Sequence, residues 1–286
     1  IEEAFGPFAK NVYAVETGLS SNPSMNWRIK ELDNRAILSF SDAHSGPKIG
    51  REATVFLSKN GMANDQLPMT NFTYDDIYQA IAENFCGRND GNLEIGYTLE
   101  FYPEEGKYHY TGHRNCGIKY GPKETIQKGI VCPVCHRNLT QGVMQRVEEL
   151  AGRREESLQL SDLNNGVKMI GSKAFPNRPP FAMLVPLQEI ISEAIGSPVQ
   201  STKTQSLYLS LVEKLGGEFQ VLLRSTESEI AGISNGKTAE GVVKVRKGDI
   251  VIDPGFDGVF GVVKIWKEES KNPAVEAPKE QLSLFQ

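Results

Sequence analysis

The chain has 286 residues, 39% of them hydrophobic and 23% charged, with a formal net charge of -5. That balance gives ample core for two domains with a small module between them, and it excludes a binder that finds nucleic acid by overall basic charge. No apolar run approaches a membrane span and no basic-then-apolar leader is present; four cysteines (Cys86, Cys116, Cys132, Cys135) then point to metal binding in a reducing, cytoplasmic compartment rather than to disulfides.

The chain opens on Ile1 in mid-pattern, which reads as a fragment of a longer sequence. Asn11–Glu16 alternates as a strand, Met25–Leu32 has helical spacing, and Ala36–Phe40 is an apolar run with the length of a buried strand. Strand, helix and strand at this spacing predict a parallel pair, with polar groups at the carboxyl ends of the strands facing a site. Glu16 lies at the first strand end. Asp42 and His44 lie past the second, where i, i+2 spacing would put them on one face. Two carboxylates and an imidazole suit Zn, Mn or Fe, and the competing reading is an ordinary strand-end turn.

Tyr74–Phe85 predicts a core-packed helix with Thr73 as its cap, Ile77, Ile81 and Phe85 on one face, and Cys86 as a small buried hydrophobe. Leu93–Tyr102 reads as a strand. Next come His113 and Cys116 at H-x-x-C spacing, and then Cys132-Pro-Val-Cys135. Two such turns complete a tetrahedron, so a structural Cys3His zinc site is expected, with His109 and then His136 as competing fourth ligands. A redox C-x-x-C would need a thioredoxin-like junction that is not seen.

Gly142–Leu150 predicts a helix. Val167–Phe181 is punctuated by Gly and Pro and carries Lys173 and Arg178; it is read either as a local nucleic-acid contact or as a solvated linker. Leu187–Ile195 and Leu207–Leu215 are helices stopped by Gly196 and Gly216. Phe219–Leu223 reads as a strand. Asn235-Gly-Lys-Thr238 resembles the end of a phosphate loop, but Ala231 stands where the first glycine belongs and a helix precedes it, so an NTPase is rejected. Asp249–Ile252 and Val259–Trp266 form a hairpin around Asp253-Pro-Gly-Phe-Asp-Gly258. The segment after Trp266 is a charged, Pro-containing linker ending in Gln281-Leu-Ser-Leu-Phe285.

Val15-Glu-Thr-Gly-Leu-Ser-Ser21, Met25-Asn-Trp-Arg28, Ser41-Asp-Ala-His-Ser45 and Gly50-Arg-Glu-Ala53 together resemble the later part of a PHP (polymerase and histidinol phosphatase) domain. With Pro103-Glu-Glu-Gly-Lys-Tyr-His-Tyr110, Gly112-His-Arg, Cys-Pro-Val-Cys and Arg146-Val-Glu-Glu-Leu150, the resemblance is to the endonuclease Q family, in order along nearly the whole chain. It implies an α/β architecture: the C-terminal part of a PHP-type β/α barrel (1–107), a zinc module (108–152), a mixed α/β domain (153–268) and a flexible tail (269–286).

The implied activity is metal-dependent cleavage of the phosphodiester 5′ to uracil, hypoxanthine, xanthine or an abasic site, by a metal-activated water attacking in line, with the damaged base drawn into a pocket. Glu16, Asp42 and His44 carry over as ligands of a Mg, Mn or Zn cluster, and Arg51 as a phosphate contact or ion-pair partner. The H-x-H opening of a PHP domain is not in this sequence, so these 286 residues alone are expected not to cut.

The tail resembles a bacterial sliding-clamp motif, Gln281 at the pocket rim with Leu282, Leu284 and Phe285 in apolar pockets, and it implies a bacterial source. The alternatives are a non-catalytic zinc adaptor for DNA or the clamp, and a PHP-type phosphatase.

Overall fold

The computed structural model describes residues 1–59, 72–86, 91–154 and 157–267. After a short helix α1 (Glu2–Phe5), strand β1 (Ala14–Glu16), helix α2 (Pro23–Asn26) and strand β2 (Ala36–Leu38) form a β–α–β unit. The two strands are parallel, with Glu16 opposite Leu38. α2 is shorter than the expected Met25–Leu32. Asn22 caps it by accepting the Met25 amide and Pro23 pre-sets its first turn, but extended backbone at Ile29 breaks it before a 3-10 turn at Lys30–Leu32. β2 likewise stops two residues before Phe40.

Strand β3 (Ala53–Ser58), helix α3 (Tyr74–Cys86) and strand β4 (Leu93–Glu100) come next. Thr73 caps α3, its hydroxyl accepting the Asp76 amide while Asp76 accepts the Thr73 amide. The small module holds β5 (Thr111–His113), β6 (Ile118–Tyr120), α4 (Pro122–Lys128) and α5 (Val143–Leu150). Strands β7 (Leu158–Leu163), β8 (Val167–Ser172) and β9 (Phe181–Met183) follow.

The sheet order is β3-β4-β9-β8-β7, with β4 and β9 parallel and the other neighbours antiparallel. Its strands come from residues 53–100 and 158–183, so one ladder joins the segments on either side of residues 108–152. The stretch Val167–Phe181 thus begins as strand β8 and ends at the first residue of β9, with the connection 173–180, which carries Lys173 and Arg178, between them. Its Arg178 pairs with Asp33, which also binds Arg153, and both guanidinium groups lie over the Phe175 ring, at 4.2 Å for Arg178 and 4.8 Å for Arg153. An arginine engaged in this way ties the turn to the β–α–β unit.

Helices α6 (Leu187–Ile195), α7 (Thr202–Leu215), α8 (Glu218–Leu223), α9 (Glu227–Ile233) and α10 (Gly236–Lys247) cover one face of the sheet. α6 and α7 end on left-handed Gly196 and Gly216. α8 replaces the strand expected at Phe219–Leu223. A five-residue apolar run has no period that separates helix from buried strand, and here Glu218 anchors the first turn by accepting the Leu187 amide and the Tyr208 hydroxyl. Asn235 caps α10 by accepting the Thr238 amide, and α9 precedes it, so no strand leads into a phosphate loop.

Leu187, Ile190, Ile191, Leu211, Val221, Ile230 and Val242 pack with Leu99 and Val167 of the sheet, each contributing about 1.5–3 kcal/mol by burial. Trp27, fully buried, packs edge-on to Phe181 and so joins the β–α–β unit to strand β9. Strands β10 (Val251–Asp253) and β11 (Val262–Lys264) close the described chain. Among the described residues no helix is long and apolar enough to cross a membrane. The side chains of Phe85 and Cys86, and the tail residues Gln281, Leu282, Leu284 and Phe285, lie outside the described residues.

Candidate functional site

The small module presents its four candidate metal ligands on two tight turns. β5 delivers His113, a 3-10 turn carries Cys116, and Gly117 in the left-handed region (φ 64°) reverses the chain into β6. In the second turn the His136 amide donates to the Cys132 carbonyl, and His136 itself takes φ 58°. The ligand atoms of His113, Cys116, Cys132 and Cys135 all lie within 4.8 Å of one another. His113 Nδ1 and Cys135 Sγ are 3.3 Å apart.

Burial opposes ionisation of Cys132, but hydrogen bonds from the Cys135 backbone, the His113 ring and the Val134 backbone outweigh it and bring the thiol down to about 6. Burial and the neighbouring thiols push Cys116 up to about 11. A divalent cation would favour all three thiolates, and three sulfurs with one imidazole are the donor set of a closed structural zinc site. His109 and His136 stand outside this group. His109 is buried, and desolvation lowers its pKa to about 4 despite a hydrogen bond with the Pro103 backbone.

The rim beyond β1 and β2 is built differently. Glu16 is exposed at the end of β1. Asp42 and His44 lie in a loop past the end of β2, and Asp42 has φ 43°, so strand alternation does not put them on one face as the spacing predicted. His44 Nδ1 sits 3.0 Å from the Asp42 carbonyl oxygen. Arg51 pins the loop from outside, Nε donating to the Ser41 carbonyl at 2.8 Å and Nη2 to that of Asp42 at 3.3 Å. Its partners are thus backbone oxygens, not an ion pair. Among the described residues the Cys3His group is the one set of three or more ligands close enough to share an ion, so Glu16, Asp42 and His44 do not form a closed centre.

Beneath the rim lies a buried carboxyl pair that sequence reasoning did not single out. Glu100, at the end of β4, accepts hydroxyl hydrogen bonds from Thr17 and Ser39 at 3.1 Å each and from Thr98. It therefore fastens the residues just after β1 and β2 to the central sheet. Burial, with the nearby charge of Glu52, raises its pKa to about 8 in spite of the three donors. Glu52 accepts the Phe101 amide at 3.3 Å and keeps one buried oxygen unpartnered; burial raises it to about 7, with Glu16 and Asp42 adding repulsion. The available signal was a glutamate at the end of an otherwise apolar strand, Leu93–Glu100, and one inside Gly50-Arg-Glu-Ala53.

A cavity of about 460 Å³ opens beside Arg51. Lys48 and Arg51 supply cationic wall, Phe101, Tyr108 and Phe260 aromatic wall, and Glu105 an acidic group that burial and Glu189 push up to about 7. Cationic groups next to stacking surfaces suit a phosphate joined to a planar base.

Comparison with known proteins fits this arrangement. The family described as the MJ0043 C-terminal domain matches residues 186–249. Uncharacterized protein MJ0043 of Methanocaldococcus jannaschii is 30% identical over 272 residues, 94% of this chain and 30% of that protein. Uncharacterized protein YqxK of Bacillus subtilis is 27% identical over 92% of this chain and 55% of its own. The lesion-specific endonuclease PfuEndoQ of Pyrococcus furiosus superposes with a TM-score of 0.68 at 28% identity, over 88% of this chain and 54% of that one. Endonuclease Q in complex with a 27-mer duplex substrate, an abasic lesion at its active site, gives 0.65 at 27% identity over 89% and 56%. The chain spans about a third to just over half the length of these relatives, and over that span its fold is similar to that of endonuclease Q.

Proposed function

We propose that this chain is the lesion-engaging portion of a metal-dependent DNA repair endonuclease that cleaves 5′ to deaminated bases or abasic sites. The observation that carries the reading is the likeness over 89% of this chain to endonuclease Q bound to a lesion-containing duplex, with an aromatic, cationic cavity lying beside the D-x-H loop. Glu16, Asp42 and His44 are the residues that would hold catalytic metal, at the rim of a PHP-type barrel of which β1, α2 and β2 form an edge. Metal ions, if held there, would supply a water of lowered pKa and offset charge developing at phosphorus. Arg51 keeps the Asp42–His44 loop in place and, with Lys48, offers positive charge to a phosphate entering the cavity. Phe101, Tyr108 and Phe260 would stack on an extruded base and exclude water from it.

The Cys3His group serves as structural zinc and closes the module against which the cavity wall rests. The tail residues Gln281, Leu282, Leu284 and Phe285 would engage a sliding clamp, bringing an acidic protein to DNA by tethering rather than by charge. Pull-down of the clamp should disappear on deletion of residues 281–285 and leave lesion binding unchanged.

The test is nicking of uracil-containing and abasic duplexes with Mg²⁺ or Mn²⁺ by the protein that carries this chain. Cutting 5′ to the lesion should be lost in both Asp42→Asn and His44→Ala; cleavage surviving both overturns the assignment. Because the three rim ligands do not form a closed centre, the 286 residues alone are expected not to nick. The one closed ligand set being the structural one favours a second reading, a zinc-containing adaptor for DNA or the clamp. It predicts lesion-independent binding and no cleavage under any metal.

A further inference from the structure

The loop between β10 and β11 touches both the zinc module and the cavity. Its amides are spent on the segment that walls the cavity: Gly255 donates to the Glu104 carbonyl at 2.8 Å, Gly258 to that of Lys107 at 2.9 Å, and Gly261 to that of Glu105 at 3.0 Å. The Tyr110 amide returns a bond to the Gly255 carbonyl at 2.9 Å. The approach is too close for side chains. A Cβ at Gly261 would lie 2.0 Å from the Glu104 carbonyl oxygen, and one at Gly255 2.4 Å from that of Gly106. The loop then contributes Phe260 to the cavity, with the Lys107 ammonium 5.0 Å from its ring centre.

The same loop reaches the metal-binding turns through one side chain. Asp257 accepts the Arg114 amide, directly after His113, at 2.7 Å through one oxygen, and the Thr140 hydroxyl through the other. Thr140 is itself paired with Gly112 by two backbone bonds, of 3.0 and 2.8 Å. The carboxylate therefore bridges the turn carrying His113 and Cys116 to the segment returning from Cys132 and Cys135, although it belongs to the distant C-terminal hairpin.

We propose that Asp257 is a positioning residue for the zinc site, and that through its loop the metal-loaded module holds residues 103–110, the wall of the cavity, in register. The inference rests on the zinc assignment made under Proposed function, but not on what the cavity binds. Groups that brace metal ligands from behind typically set affinity by about 10–100-fold, which makes the effect measurable without catalysis.

Asp257→Asn is the first variant. Asn tolerates φ 43° while removing the charge and one acceptor, so the backbone of the loop is kept. Thr140→Val is the second, deleting one of the two donors without touching the loop. Zinc content of the wild type is measured first, then affinity by competition with a chromophoric chelator, and amide exchange with and without zinc. One tightly bound zinc is expected. Asp257→Asn should weaken it by about tenfold or more, with a smaller loss in the same direction for Thr140→Val. In the wild type, removing zinc should raise exchange in both 254–261 and 103–110. In Asp257→Asn that exchange should already be raised with zinc bound, while α6–α10 stay as protected as in the wild type.

A protein that binds no zinc overturns the zinc assignment and this inference with it. One tightly held zinc, with unchanged affinity and protection in both variants, leaves the assignment standing and overturns only the role of Asp257. Raised exchange throughout α6–α10 in both variants would mean general destabilisation and also overturns it.

Discussion

The Cys3His module and the β1–β2 rim are both candidate metal sites, yet among the described residues only the first brings its ligands together. In the module all four ligands lie within a 23-residue stretch on two short turns, each closed by its own backbone hydrogen bonds and a left-handed residue. At the rim Glu16 comes from one strand end, and Asp42 and His44 from a loop whose shape is set by Arg51 and, lower down, by Glu100. A site made of local turns needs little from the rest of the chain. A site made of strand ends needs a sheet beneath it and further ligands from elsewhere.

The strongest way to test that contrast is to remove a buried thiol. Cys132→Ser should abolish zinc binding and with it most of the about 10–16 kcal/mol that a structural zinc contributes to such a module. Metal analysis and amide exchange would then show residues 111–140 unprotected while the α6–α10 core keeps its protection. Collapse of the whole chain would mean that the module is not locally closed.

Next in size is the buried glutamate under the rim. Because the Glu100 pKa is raised from 4.5 to about 8, the folded state holds its proton more tightly than the unfolded one. The associated stability is complete below about pH 4.5 and is lost as the pH climbs toward 8. Glu100→Gln cannot ionise, so its melting temperature should fall less than that of the wild type between pH 5 and 8. Parallel profiles would show that the carboxyl is not held neutral.

Arg51→Ala removes two charge-assisted bonds to the Ser41 and Asp42 carbonyls and should cost about 1–3 kcal/mol in denaturant unfolding. Lesion cleavage should drop with it, since the D-x-H loop loses its outer anchor. An unchanged midpoint would mean that the loop is held by other contacts. The smallest expected effect on stability is at the rim itself. Asp42→Asn should stay within about 0.5 kcal/mol of wild type because Asp42 is exposed, while eliminating cleavage. A large loss of stability there would place Asp42 in the fold rather than in the chemistry.

Several features were legible residue by residue. The C-x-x-C and H-x-x-C spacings located the four ligands, because such turns close within a few residues. Gly196 and Gly216 marked helix ends, since the left-handed cap is a local requirement. The parallel β1–β2 pair followed from strand–helix–strand spacing. Other features were not legible. Val221, Leu222 and Leu223 are buried whichever element they form, so no alternation marks α8. Arg178 looked available because Asp33 is 145 residues away in the chain. The i, i+2 argument at Asp42 failed because the strand had already ended at Leu38.

The sequence by itself determined the metal-binding turns, the caps that start and stop the helices, and the chemical types gathered near the D-x-H loop. These depend on interactions within one or two turns of chain, where spacing is geometry. Only the tertiary structure decided that strands from 53–100 and 158–183 share one sheet, that Glu100 sits beneath the rim, and that Asp257 reaches back to the turns carrying the Cys3His group. Those depend on contacts across long loops, whose closure is set by the packing of the whole core rather than by any local pattern.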